Sequence, residues 1–118
     1  MLVVEDDPVV QTLVYEVLRK CGHTVFRARD GLEAIELVKK GEAAVDMLVT
    51  DVIMPKMNGK ALYQRLAVLV PDLKVLYISG YPGEVITERG VADSGSNFLQ
   101  KPFSVNVLIN KVNEILNQ

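Results

Sequence analysis

The chain has no tryptophan, one cysteine and one histidine in 118 residues, and each scarcity closes off a class of function. A single Cys21 cannot form an internal disulfide and has no Cys or His companions at metal-ligand spacing. It therefore reads as a small buried hydrophobe and not as a redox or zinc residue. His23 stands alone in Cys-Gly-His-Thr, between an expected helix and an expected strand, and reads as a loop residue. Long apolar runs are missing too. Hydrophobic residues make up 49% of the chain but come in short interrupted groups, none near the length of a bilayer span, so no membrane contact is expected. The start MLVVEDDPVV lacks a basic region and a long apolar stretch, so nothing reads as a signal peptide and a cytoplasmic setting is expected. Positive charge is in no excess: 13 Lys and Arg are scattered among 15 Asp and Glu, which argues against direct contact with nucleic acid.

What is present is an alternation. The length is near the modal size of one domain, so a single domain over residues 1–118 is expected, and the tight start on the first strand suggests one excised from a longer protein. After the apolar run at 2–4, Val10, Leu13, Val14, Val17 and Leu18 repeat at helical spacing behind Pro8, a residue suited to a first helical turn, and Gly22 lies just past the end. Residues 24–28 read as a strand. Ala34, Ile35, Leu37 and Val38 return to helical spacing, and a third strand is expected at 45–50. Leu62, Leu66 and Leu69 form a helical stripe that Pro71 cuts off, and KVLYIS at 74–79 is a fourth strand. The stretch 83–90 has few apolar anchors and reads as a short helix or a structured loop. A short fifth strand at 97–100 and an amphipathic helix from Val105 to Leu116 complete five βα units. Strands alternating with helices imply a doubly wound α/β fold, a parallel sheet covered on both faces by right-handed crossovers.

In such sheets reactive groups gather beyond the carboxyl ends of the strands. The first strand runs straight into Glu5, Asp6 and Asp7, and the third ends at Asp51 in MLVTDVIMPKMNG. If these strands are neighbours, three or four carboxylates meet, and like charges in a partly desolvated crevice need either raised pKa values or a bound cation. Oxygen ligands select Mg²⁺, Mn²⁺ or Ca²⁺, and a small carboxylate cluster that leaves water positions suits Mg²⁺, which often also binds phosphate. The fourth strand ends at Ser79 and the fifth at Lys101 before Pro102, which bring a hydroxyl and an ammonium to the same edge. A carboxylate nucleophile, a metal, a cation and a hydroxyl are the parts of an acyl-phosphate site.

Through V-V-E-D-D, T-D-V-I-M-P-K-M-N-G, I-S-G and K-P-F in this order, the chain resembles a response-regulator receiver domain over essentially its whole length. ISGYP followed by FLQKPFS is most similar to the receivers of hybrid sensor histidine kinases. The resemblance implies the flavodoxin-like strand order 2-1-3-4-5. It implies Asp51 as phosphoacceptor, Mg²⁺ (or Mn²⁺) held by Glu5, Asp6, Asp51 and the backbone carbonyl of Ile53, and Lys101 bridging to the phosphoryl group. Ser79 then matches the switch hydroxyl, Phe98 takes the place of the switch aromatic, and the bond before Pro102 is expected to be cis. Asp7 becomes a bystander, and His23 is not the phosphodonor. The expected partner is a histidine kinase or histidine phosphotransfer protein, with a covalently attached kinase or output domain as a further candidate. The domain is then a signalling receiver that catalyses its own phosphorylation and dephosphorylation, not a conventional enzyme.

Phe98 departs from the commonest pattern, since many receivers carry a tyrosine there; the ring is kept and the hydroxyl is lost. Blander readings stay open: Asp51 as the cap of the following helix, and Glu5, Asp6 and Asp7 as a charge cluster at a helix N-terminus. Among other classes, a haloacid-dehalogenase-type hydrolase would need a D-x-D on the first strand, and E-D-D does not fit. A flavodoxin-like redox protein would need a Ser/Thr/Gly-rich loop there. A receiver scaffold that binds partners without phosphate or metal remains as the second reading.

Overall fold

The structure, a computed structural model, describes residues 1–41, 44–54, 56–80 and 97–117. Among these residues nine elements follow in the order β1 (Leu2–Val4), α1 (Pro8–Lys20), β2 (Phe26–Ala28), α2 (Gly31–Lys39), β3 (Met47–Asp51), α3 (Gly59–Leu69), β4 (Lys74–Ser79), β5 (Phe98–Gln100) and α4 (Val105–Leu116). The strands form one parallel sheet in the order β2-β1-β3-β4-β5. The expected helix or loop at 83–90 lies outside the described residues.

Because side chains alternate between faces along a strand, each central strand contributes to two cores. Leu2, Val4, Leu48, Val75 and Tyr77 point to one side and pack with Ala34 and Ile35 of α2 and Leu62 and Leu66 of α3. Val3, Met47, Val49, Leu76 and Ile78 point to the other and pack with Val14 and Leu18 of α1 and Leu108, Val112 and Ile115 of α4. The short apolar runs of the sequence are therefore strands buried on both faces. No described helix is long and apolar enough to cross a membrane.

Local chemistry sets the helix ends. Asp7, Asp30, Asn58 and Ser104 each accept a backbone N–H of the first turn, so α1, α2, α3 and α4 all begin on a side-chain cap. One alternative reading falls away and one expectation is corrected. Asp51 does not cap α3, because it ends β3 and Asn58 takes that role through Ala61 N at 2.8 Å. Cys21 is exposed, not buried. It stands at the C-terminal end of α1, where its N–H closes the last turn on Val17 and Leu18 and the chain turns through Gly22 at φ 95°. Helical spacing alone does not reveal that the apolar stripe has stopped.

Candidate functional site

Three strands deliver the site. β1 and β3 are neighbours in register, with Val4 opposite Thr50, so the residues that follow each strand emerge side by side. Glu5 is 3% exposed and Asp51 9%, whereas Asp6 is exposed. Glu5, Asp6 and Asp51 each offer a carboxylate oxygen, and these atoms all lie within 4.8 Å of one another. It is the one such group of three potential metal ligands among the described residues.

Lys101 closes the cluster from the far side. Its backbone N–H donates to the carbonyl of Ser79 at 2.8 Å, which fixes the end of β5 against β4, and the Lys101–Pro102 bond is cis, as expected. The ammonium donates to Glu5 Oε2 at 3.1 Å and to Asp51 Oδ2 at 3.4 Å. Two of the three carboxylates thus share one lysine. Burial, then the charge of Asp51, pushes the Glu5 carboxyl up to about 7, against the pull of the Asp7 N–H and of Lys101. Burial opposes the charge on Lys101 as well, but the hydrogen bonds and charges of Glu5 and Asp51 outweigh it and raise its pKa. Such a cluster is short of positive charge, and a divalent ion with oxygen ligands fits what is lacking.

Asp7 is turned away from the cluster, with its side chain accepting the Val9 N–H at 2.9 Å as the cap of α1. The charge-cluster reading of E-D-D is thus right for one of the three acids. Ser79 is fully buried at the end of β4, one position beyond the Ile78 that pairs with Asp51. Ile53 lies two residues past Asp51 in the loop leading to α3, and Phe98 opens β5. His23 is in the turn between α1 and β2, at the opposite end of the sheet.

The backbone around Asp51 is held by residues to which the sequence reading gave no role. Thr50 Oγ1 donates to the Asp51 carbonyl at 3.0 Å. The Gly59 N–H donates to Val52 O at 2.8 Å, and a Cβ at Gly59 would collide with the Asp51 carbonyl oxygen. Asn-Gly at 58–59 reads as a turn in sequence. Its signal as a cap followed by a glycine at the start of a helix was present, but why glycine is needed depends on the strand end lying against it. Lys56, in the same loop, has φ 69°, a conformation costly for a side chain.

Residues 1–113 match the family model described as response regulator receiver domain. The chain is 37% identical over 116 residues to the sensor kinase CckA of Brucella abortus (strain 2308), covering 98% of this chain and 12% of that protein. It is 30% identical over 116 residues to the response regulator receiver protein CpdR of the same organism, covering 98% of this chain and 95% of CpdR. The solved receiver domain of the hybrid histidine kinase CckA superposes with a TM-score of 0.80 at 31% identity, over 98% of this chain and 96% of the other. The chain spans only a small part of the kinase and nearly the whole of CpdR. Fold, strand order, the carboxylate cluster and these matches agree: the chain belongs to the response regulator receiver domain family.

Proposed function

We propose that Asp51 accepts a phosphoryl group from a phosphohistidine on a histidine kinase or histidine phosphotransfer protein. The observation that carries this reading is the Lys101 ammonium set between Glu5 and Asp51, beside the exposed Asp6. Mg²⁺, or Mn²⁺ in its place, would be held by Glu5, Asp6, Asp51 and the Ile53 carbonyl, and supplies fixed positive charge beside the phosphoryl oxygens.

An Asp51 carboxylate oxygen attacks phosphorus in line. The P–O bond forms as the P–N bond breaks, and the electron pair leaves on the donor's imidazole nitrogen. Lys101 follows the growing charge from carboxylate to phosphoryl oxygen, a preorganised contact in a site that already excludes much water. Glu5 is ionised for this step and holds Lys101 in place. Hydrolysis of the acyl phosphate resets the protein, while Ser79 and Phe98 respond to the phosphoryl group and shift a partner-binding face.

The donor's docking surface is supported by α1 and the start of α4. Val9 is 77% exposed and Leu13 43%, one turn apart, and Val105 and Val107 are exposed as well. A cavity of about 200 Å³ lined by Val10, Leu13, Lys101, Pro102 and Phe103 lies beside them. An apolar patch that shares Lys101 with the phosphoacceptor site would bring a donor helix and its phosphohistidine to Asp51. A kinase or output domain on the same chain, as in CckA, fits the same scheme.

The test is intact mass of the wild type and Asp51→Asn after incubation with Mg²⁺ and acetyl phosphate, with an EDTA control. One phosphoryl adduct that needs both Mg²⁺ and Asp51 is expected. No adduct, with phosphohistidine donors also tried, would overturn the reading in favour of a scaffold that binds partners without phosphate.

A further inference from the structure

Phe98 has kept the ring and lost the hydroxyl of the switch aromatic, so its link to the site must run through packing. The sheet register supplies a route. Thr50 of β3 pairs with Tyr77 of β4, and Tyr77 pairs with Phe98 of β5. Side chains in register on parallel neighbours share a face, so the three form one row across the sheet, a single residue below Asp51. The two ends of the row touch different things. At one end Thr50 donates to the Asp51 carbonyl and lies 3.8 Å from the Met54 sulfur. At the other, Phe98 is half-buried and packs on the same core cluster that contains Tyr77.

Tyr77 is the middle of the row and is only 3% exposed. Burial, with the neighbouring Tyr63, pushes its phenol up to about 12, so the ring is neutral at working pH. Ser79 lies two residues further along β4 and hence on the same face. A movement of Ser79 or of the β3 end toward a phosphoryl group therefore acts on one closely packed ring before it reaches Phe98.

We infer that Tyr77 is a positioning residue that couples the state of Asp51 to Phe98 through the cross-strand row Thr50–Tyr77–Phe98. The inference rests on the phosphoacceptor reading above. Coupling runs through the ring, so Tyr77→Phe keeps it and Tyr77→Leu breaks it.

The experiment places 4-fluorophenylalanine at position 98 and follows ¹⁹F NMR as Mg²⁺ and beryllofluoride, a phosphoryl mimic on carboxylates, are added. One spectrum reports both events, because bound beryllofluoride has its own fluorine resonances. In the wild type and Tyr77→Phe the bound signal should appear and the Phe98 resonance should shift. In Tyr77→Leu the bound signal should appear while the Phe98 shift falls to less than half. A full Phe98 shift in Tyr77→Leu, or loss of the shift in Tyr77→Phe, overturns the coupling. If beryllofluoride binds the wild type and Phe98 does not respond, the switch role of Phe98 fails and the coupling with it. If nothing binds the wild type, the phosphoacceptor reading itself fails. Should Tyr77→Leu not fold, Thr50→Val keeps the side-chain shape and removes the link to the Asp51 carbonyl. An undiminished Phe98 shift there overturns the row.

Discussion

The two ends of the sheet invite comparison because acidic groups are held in different ways at each. Beyond the amino ends of the strands a cavity of about 530 Å³ is lined by Met1, His23, Thr24, Phe26 and Asp46 among others. There the Met1 nitrogen donates to the Thr24 carbonyl at 2.8 Å and lies 3.3 Å from the Asp46 carboxylate. Beyond the carboxyl ends Glu5, Asp6 and Asp51 come together, and one lysine, Lys101, pairs with two of them. Unbalanced negative charge is what sets the carboxyl end apart. A group of carboxylates held together by the fold stores a preference for a cation, whereas a neutral pair stores none.

The sharpest way to break this comparison is to remove the one cation. Lys101→Met should slow phosphorylation of Asp51 by acetyl phosphate on the order of 100-fold, the scale of losing one preorganised electrostatic contact. His23→Ala at the other end should leave the rate unchanged. Intact mass against time measures both, and equal rates in all three proteins would remove Lys101 from the mechanism.

The cost of burying Glu5 beside Asp51 is readable as a pH dependence without metal. The Glu5 carboxyl rises from 4.5 in the unfolded chain to about 7 in the folded one, so the unfolded state releases its proton first as pH rises. The contribution to stability is fully present below 4.5 and is lost as pH passes through 7, on the order of 2–3 kcal/mol. Urea melts in EDTA at pH 5 and pH 8 should show Glu5→Gln gaining on the wild type by that amount at the higher pH. Added Mg²⁺ should reverse the order at pH 8, because only the ionised wild-type cluster can hold the ion. A constant difference between the two proteins across pH would show that Glu5 does not carry the strain.

Gly59→Ala probes the backbone that carries Asp51. The added Cβ has nowhere to go but into the Asp51 carbonyl, and overpacking of this kind costs about 2 kcal/mol. Gly22→Ala, with open space at its Cβ but φ 95°, should cost about 1 kcal/mol from strain alone and leave phosphorylation untouched. Thermal melts beside acetyl phosphate assays separate the two. The smallest effect is expected at the docking surface: Leu13→Asp should slow transfer from a protein donor about tenfold, a loss of about 1.4 kcal/mol, with acetyl phosphate rates unchanged. Equal slowing with both donors would place Leu13 in the fold and not in docking.

Much of this was legible before folding because strands and acids are written in one dimension. The runs at 2–4, 47–49 and 74–78 announce buried strands, and the acids and the lysine that follow them announce a polar sheet edge. What escaped were quantities that depend on a second segment. The exposure of Cys21 depends on where α1 ends against the sheet. Only the approach of α3 to the Asp51 carbonyl explains glycine at position 59.

By itself, then, the sequence determined the alternation of elements, the two-sided burial of the central strands and the presence of Glu5, Asp6, Asp51, Ser79 and Lys101 at strand ends, since period and order along the chain carry that information. The tertiary structure alone decided that Lys101 stands between Glu5 and Asp51, and that Thr50, Tyr77 and Phe98 align in one row. Residues 5, 51 and 101 are far apart along the chain, and their distances are fixed only when parallel strands choose neighbours and register.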